Sequence, residues 1–189
     1  IFARTENAAF VSGDGVGKPR GFLDYSTDWT TAGTFEQGKV EQFDTGANGD
    51  FAADPNGGDV LINALYALIP QYRPNATWFM NRTTTGRVRQ LQDSNGAYIW
   101  QPGLAAGQPA TLLGYPVANF EDMPAYSTTG NLAIAVGDMR EAYQIVDRVG
   151  TRVLRDPYVN KPYVQFYTVK RVGGDLVNFE AIKFIRFSS

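Results

Sequence analysis

The chain has 189 residues, 43% of them hydrophobic, with 17 Lys and Arg set against 19 Asp and Glu and with neither Cys nor His. That length buries a sizeable core in one or two domains, and the missing residue types exclude thiol nucleophiles, disulfides, Cys-based zinc sites and every His-dependent triad. The balanced charge lacks the basic excess with which dedicated nucleic-acid binders neutralise phosphate. No run approaches the roughly 20 apolar residues that cross a bilayer.

The chain starts at Ile1 with no charged-then-apolar leader, so it reads as a fragment whose upstream part is out of view. Phe2 to Phe10 has the pattern of a helix end, stopped by the turn formers Ser12-Gly13-Asp14-Gly15. Leu23 to Phe43 is Thr-rich and alternates weakly through Trp29, Phe35, Val40 and Phe43, which predicts exposed strands or an arm. Asp44 to Asp59 is Gly-rich without an aliphatic side chain larger than Ala, which predicts a flexible loop. A helix follows, with Asp59 as its cap, Leu61, Ala64, Leu65 and Leu68 on one face, and Pro70 as its stop. Ala76 to Met80 is a short apolar run of the kind buried in a central sheet. Arg82 to Gln92 is a second helix, with Val88 and Leu91 inward and Arg82, Arg87 and Arg89 solvated. After a turn at Asp93 to Gly96, a strand is expected at Tyr98 to Trp100. Pro102 to Pro109 is a Gly/Ala/Pro loop. Further strands are expected at Tyr115 to Phe120, Leu132 to Val136, Tyr143 to Val146 and Arg152 to Leu154. A long one at Tyr163 to Val172 ends at a turn, Gly173-Gly174-Asp175, and the last runs from Ala181 to Phe187. The fold class is α+β, with late strands too extended for one compact core.

The motifs that could carry chemistry fail on spacing. Gly13 to Pro19 has neither the four residues between glycines nor the Ser or Thr after Lys18 that a nucleotide phosphate loop needs, and Arg20 stands where a dinucleotide loop has its third Gly. Asp44-Thr45-Gly46 matches the aspartic-protease tripeptide, but Glu41 and Gln42 precede it where a buried apolar strand is required. Asp44, Asn48 and Asp50 lack the Glu that ends a calcium loop. Glu121 and Asp122, adjacent on an extended segment, point to opposite faces. The sequons at Asn75 and Asn81 carry no weight without a secretory context. No catalytic, cofactor or metal residue is assigned.

Several segments, in order, resemble the major capsid proteins of tailed phages, the Hong Kong 97-type fold, and most closely those of prophages or gene transfer agents. They are Ala9 to Gly15 with Gly17 to Gly21, Trp78 to Asn81, Leu91 to Gln101, Leu112 to Val117, Glu121 to Pro124, Gly137-Asp138 and Val153 to Pro157. The resemblance implies an axial domain (15–142 with 176–189) holding a mixed sheet with flanking helices, and a peripheral domain (1–14 with 143–175) holding long strands. It implies that the N-terminal arm, the extended loop and most of a spine helix lie upstream. It also implies a structural subunit that assembles with copies of itself, as pentamers and hexamers, into an icosahedral shell around double-stranded DNA without sequence-specific binding. Portal, scaffold and head protease are the implied partners of a full-length form. No membrane is involved; assembly is in the bacterial cytoplasm and the destination is the virion. Some phages of this family crosslink subunits through Lys and Asn with help from a Glu. No Glu occurs between Pro157 and Asp175, and Val164 or a neighbour stands near the Asn position, so that site is not carried over.

The expected subunit contacts are Gly103 and Gly107, on a loop near a local five- or six-fold axis, and Arg152, Arg155, Asp156 and Lys161, where subunits meet around three-fold positions. Two rival functions are a protein-compartment shell of the same fold (encapsulin-like) and a carboxylate hydrolase built on two of Asp14, Asp44, Asp122 and Asp138. The fragment is expected to fold but not to close a shell alone.

Overall fold

The computed structural model describes residues 2–26, 29–31, 33–53, 55–100, 110–159 and 161–188. Its body is a seven-stranded mixed sheet made of β1 (Trp29–Thr31), β2 (Val40–Asp44), β3 (Thr77–Met80), β4 (Thr111–Leu112), β5 (Tyr115–Asn119), β6 (Leu132–Gly137) and β9 (Ile182–Arg186), in the order β1-β2-β9-β6-β3-β5-β4. Strands β6 and β9 lie antiparallel at the centre, flanked by the parallel pairs β2–β9 and β3–β5.

A central strand must be apolar on both faces, and β6, Leu-Ala-Ile-Ala-Val-Gly, is buried at every position. Alternation then divides the core in two. On one face Phe79, Ala135, Ile182 and Phe184 pack with Phe22, Tyr25, Tyr72 and Phe179. On the other, Trp78, Met80, Ile134, Ile185 and Phe187 pack against α2 (Asp59–Ala67) and α3 (Arg82–Arg89) through Leu61, Ala64, Leu65 and Val88. Of two further helices, α4 (Met139–Ala142) runs directly into a separate two-stranded ribbon, β7 (Tyr143–Asp156) against β8 (Gln165–Leu176), and α1 (Phe2–Ser12) bonds to that ribbon from Glu6.

Several expectations need correction. Val40 to Phe43 is no exposed arm: β2 is buried at four of its five positions, because it pairs with β9 inside the sheet. The loop after it is packed, with Phe51 in the core and Thr45 Oγ1 donating to the carbonyls of Ala47 and Asp50. Asp59 is the first helical residue and Gly58 the cap, so the carboxylate faces the positive helix end instead of capping it. Tyr98 and Ile99 are exposed, and only a single bridge, Gln92 to Tyr98, forms there, so that segment is not a strand. The two strands expected between Tyr143 and Leu154 are one, carried through register shifts at Asp147/Val149 and Val149/Arg152. Gly173-Gly174-Asp175 does not turn the chain but lies within β8. A Cβ on Gly174 would sit 2.5 Å from the Tyr143 hydroxyl, so glycine there admits the Tyr143 ring over the strand.

Candidate functional site

The ribbon projects from a junction that the early glycine motif builds. Gly15 and Gly17 take positive φ (75° and 69°), which folds residues 13–21 back on themselves through an Asp14–Arg20 bridge. A Cβ on Gly13 would meet the Pro19 carbonyl oxygen at 2.1 Å, and one on Gly21 the Val11 carbonyl at 2.5 Å, so both positions need glycine for this close packing on α1. The returning strand of this loop then holds the ribbon. Arg20 N–H donates to the Gly174 carbonyl at 2.9 Å, and the Tyr143 hydroxyl donates to the Arg20 carbonyl at 2.6 Å. The Tyr25 hydroxyl donates to Asp175 Oδ1 at 2.8 Å, with the Arg20 guanidinium 3.8 Å above the Tyr25 ring and bonded to Asp24. Burial, and for Tyr25 also the bond to Asp175, pushes the Tyr25 and Tyr143 hydroxyls up to about 12. On the helix side, Lys170 Nζ donates to Glu6 at 2.9 Å, and this bond is the main reason the Lys170 ammonium is held above its ordinary pKa.

Beyond the junction no second layer covers the ribbon among the described residues. Leu154, Phe166 and Tyr167 are each about two-thirds exposed (67%, 66% and 68%), and Tyr158 at the tip reaches 80%. Large apolar side chains in a paired ribbon, uncovered by the other described residues, mark an interaction surface more than a core.

Of the residues predicted to meet neighbours, Arg152 and Arg155 are exposed on β7 and Lys161 is exposed in the tip turn. Asp156 is half-buried, its Oδ1 accepting the Tyr158 N–H that starts that turn. The four share the outer ribbon but not one face: Arg152 pairs with Val169 and Arg155 with Phe166, positions that alternate across the ribbon. Arg155 and Asp156 likewise point to opposite sides. Gly103 and Gly107 lie outside the described residues.

Of the four carboxylates weighed for a hydrolase, Asp122 is exposed and the other three are engaged separately. Asp14 pairs with Lys18 and accepts the Val16 N–H, which is the main cause of its lowered pKa. Asp44 makes a two-pronged pair with Arg186 (2.7 and 3.1 Å), and Asp138 caps α4 by accepting the Arg140 N–H. Asp50 pairs with Arg87; burial raises its pKa, but the Arg87 and Phe51 hydrogen bonds outweigh that and leave it lowered. Among the described residues no group of acidic side chains is arranged to hold a metal.

A matching profile of the phage capsid family spans residues 1–187. The chain belongs to the phage capsid family. Among solved structures it resembles a chain in the capsid of a native GTA particle, with a TM-score of 0.90, 48% identity and 100% of this chain covering 62% of that one. The capsid of an empty GTA particle gives a TM-score of 0.88 and 47% identity, again with 100% of this chain, covering 63% of that one. This member of the capsid family thus spans less than two-thirds of the length of the capsid chains it matches. A chain from Gordonia phage Cozz, 14% identical with a TM-score of 0.58 over 100% of this chain and 60% of that one, shares the fold alone. Comparison with curated proteins gave no match. The α+β architecture is that of Hong Kong 97-like phage capsids, as the resemblance implied.

Sequence reasoning missed three residues or pairs that hold this capsid fold together. Glu41 and Lys183 face each other across β2 and β9, 2.5 Å apart and buried, with Glu41 also accepting the Gly33 N–H. A Lys between Ile182 and Phe184 in an apolar run was the available signal, since a cation buried there needs an anion. Asn81 caps α3 and donates to the Glu121 and Met123 carbonyls at 3.2 and 3.1 Å, joining two segments of the resemblance. Glu6–Lys170 had no signal, because its partners lie 164 positions apart.

Proposed function

We propose that this chain is the greater part of a major capsid subunit that assembles, as pentamers and hexamers, into an icosahedral shell enclosing double-stranded DNA. The single observation that carries this beyond family membership is the exposed apolar ribbon. A subunit that must meet copies of itself needs such a surface, and a self-contained enzyme does not. The role is structural, without catalysis; the separate engagement of Asp14, Asp44 and Asp138 supports this. In this reading the seven-stranded sheet with its helices (15–142 and 176–189) is the axial domain, and α1 with the ribbon (1–14 and 143–175) the peripheral domain. Arg152, Arg155, Asp156 and Lys161 then meet neighbours around three-fold positions. Residues 102–109 lie near a local five- or six-fold axis, with Gly103 and Gly107 at the contact.

The particle is a virion or gene-transfer particle built in the bacterial cytoplasm, with portal, scaffold and head protease as partners of the full-length form. No helix among the described residues is long and apolar enough to cross a membrane. Electron microscopy of the full-length protein tests the reading: closed shells holding DNA when isolated from the native host support it, and shells holding only protein cargo, or no shells, contradict it. Because the chain spans about 63% of the matched capsid chains, light scattering of these 189 residues should show a folded species far below a megadalton.

A further inference from the structure

The charge of this chain is divided unevenly. Residues 143–176 carry six cations (Arg148, Arg152, Arg155, Lys161, Lys170, Arg171) against three Asp, whereas the rest of the chain holds 11 Lys and Arg against 16 Asp and Glu. The ribbon is therefore positive by three and the remainder negative by five, a contrast that the overall −2 conceals. The cations of the sheet body are largely spent internally: Arg87 on Asp50, Arg186 on Asp44, Lys183 on Glu41. On the outer ribbon Arg152, Arg155, Lys161 and Arg171 have no ion-pair partner among the described residues.

The two ribbon faces also differ. The register puts Lys170 on the same face as Phe166 and Thr168, and Lys170 is held by Glu6 of α1. The opposite face presents Leu154, Tyr167, Val169 and Val149 as an apolar strip, with Arg152 across from Val169 and Arg171 across from Val149, and none of the described residues covers it.

We infer that this Arg152/Arg171 face docks on the acidic sheet body of a second copy of the chain, in a head-to-tail contact. The inference rests on the shell reading above and adds to it which surface meets which. Charge complementarity selects the occupant: the apolar strip needs a dry partner, the flanking guanidiniums need carboxylates, and the negative body of another copy has a surplus of them. Ribbon-on-body contact is heterologous, the kind of contact that builds a ring where the rotation closes. The eleven register pairs make a face about 36 Å long and roughly 10 Å wide, or some 350–400 Å². That is about half the roughly 800 Å² per partner of a standard interface, so the isolated contact is weak and dissociates readily. Much of its strength is electrostatic and screened over about 10 Å at 0.1 M salt.

The test is sedimentation velocity of the 189-residue chain at high micromolar concentration, in about 50 mM and about 500 mM NaCl. Reversible association that falls at least tenfold in the higher salt is expected. R152E/R171E should abolish it at both salts, and R152Q/R171Q, which adds no repulsion, should weaken it at least fivefold should the first variant fold poorly. The sign-opposed control is R82E/R140E, on the exposed surface of the sheet body, which makes the body more acidic with the same change in net charge. It should leave association unchanged or stronger, where simple net repulsion would weaken both. Association that ignores salt, or that the ribbon variants leave intact, overturns the inference, as does a chain that stays monomeric throughout. Binding of a double-stranded DNA fragment through the same arginines, in place of self-association, overturns it too. None of these outcomes touches the shell reading, which stands or falls on the full-length protein in the microscope.

Discussion

The sheet body and the ribbon use similar residues for opposite ends. Strand β6 is buried along its whole length, whereas the fourteen residues of β7 have no fully buried position although Ile145, Val146, Val149, Val153 and Leu154 are as apolar as anything in β6. The difference lies in what stands opposite. Strand β6 has neighbours on both edges and packed layers on both faces; among the described residues β7 pairs with β8 alone, and beyond the junction its faces are open. Hydrophobicity along a strand therefore says that the strand will be covered, and not by which chain.

The contrast is sharpest in stability. Phe184 is fully buried and stacked on Phe22, so Phe184→Ala should cost about 3–5 kcal/mol in denaturant unfolding. Next comes the buried pair. Glu41→Leu alone strands the Lys183 ammonium and the Gly33 N–H, and should cost about 3–4 kcal/mol. The double variant Glu41→Leu/Lys183→Met should recover most of that, because no charge is left buried. A double as damaging as the sum of the singles would show that the pair is not coupled as described.

The junction between the regions should respond to base. Burial raises the Tyr25 and Tyr143 hydroxyls to about 12, above their ordinary value near 10. A raised pKa means that the stabilisation is fully present below pH 10 and is lost as the pH climbs through 12. For Tyr25, 5% exposed, a shift of that size corresponds to roughly 2–3 kcal/mol. Unfolding midpoints in the Tyr25→Phe chain should fall less steeply over that window; an unchanged slope would remove Tyr25 from the junction's titration. Asn81→Ala loses the α3 cap and leaves two carbonyls without their donor, for about 2 kcal/mol. At the small end, Tyr167→Ser on the ribbon should change the stability of the unassembled chain by less than about 0.5 kcal/mol.

The body was legible where pattern and burial agree. The runs around Trp78, Ile134 and Phe184 are apolar on both faces and could only be central strands, and Leu61 to Leu68 has helical spacing. What misled were residues whose role depends on distant partners. Glu41 and Gln42 made β2 look solvent-facing because the cation that neutralises Glu41 lies 142 positions away. Gly173-Gly174 reads as a turn by local preference, yet it is extended backbone cleared for the Tyr143 ring. The outer ribbon was legible as strand through its alternation, but the assignment of its residues to faces needed the register shifts that no local pattern displays.

The central claim is that the body is complete within the chain and the ribbon is completed by other copies. Amide hydrogen exchange, compared between the unassembled chain and assembled full-length particles, tests it most directly. In the unassembled chain, β3, β6 and β9 should exchange at least a hundredfold more slowly than residues 150–170. On assembly the ribbon should gain at least tenfold protection while the body stays as it was. A ribbon already as protected as β6 in the isolated chain, or unchanged by assembly, would contradict the account.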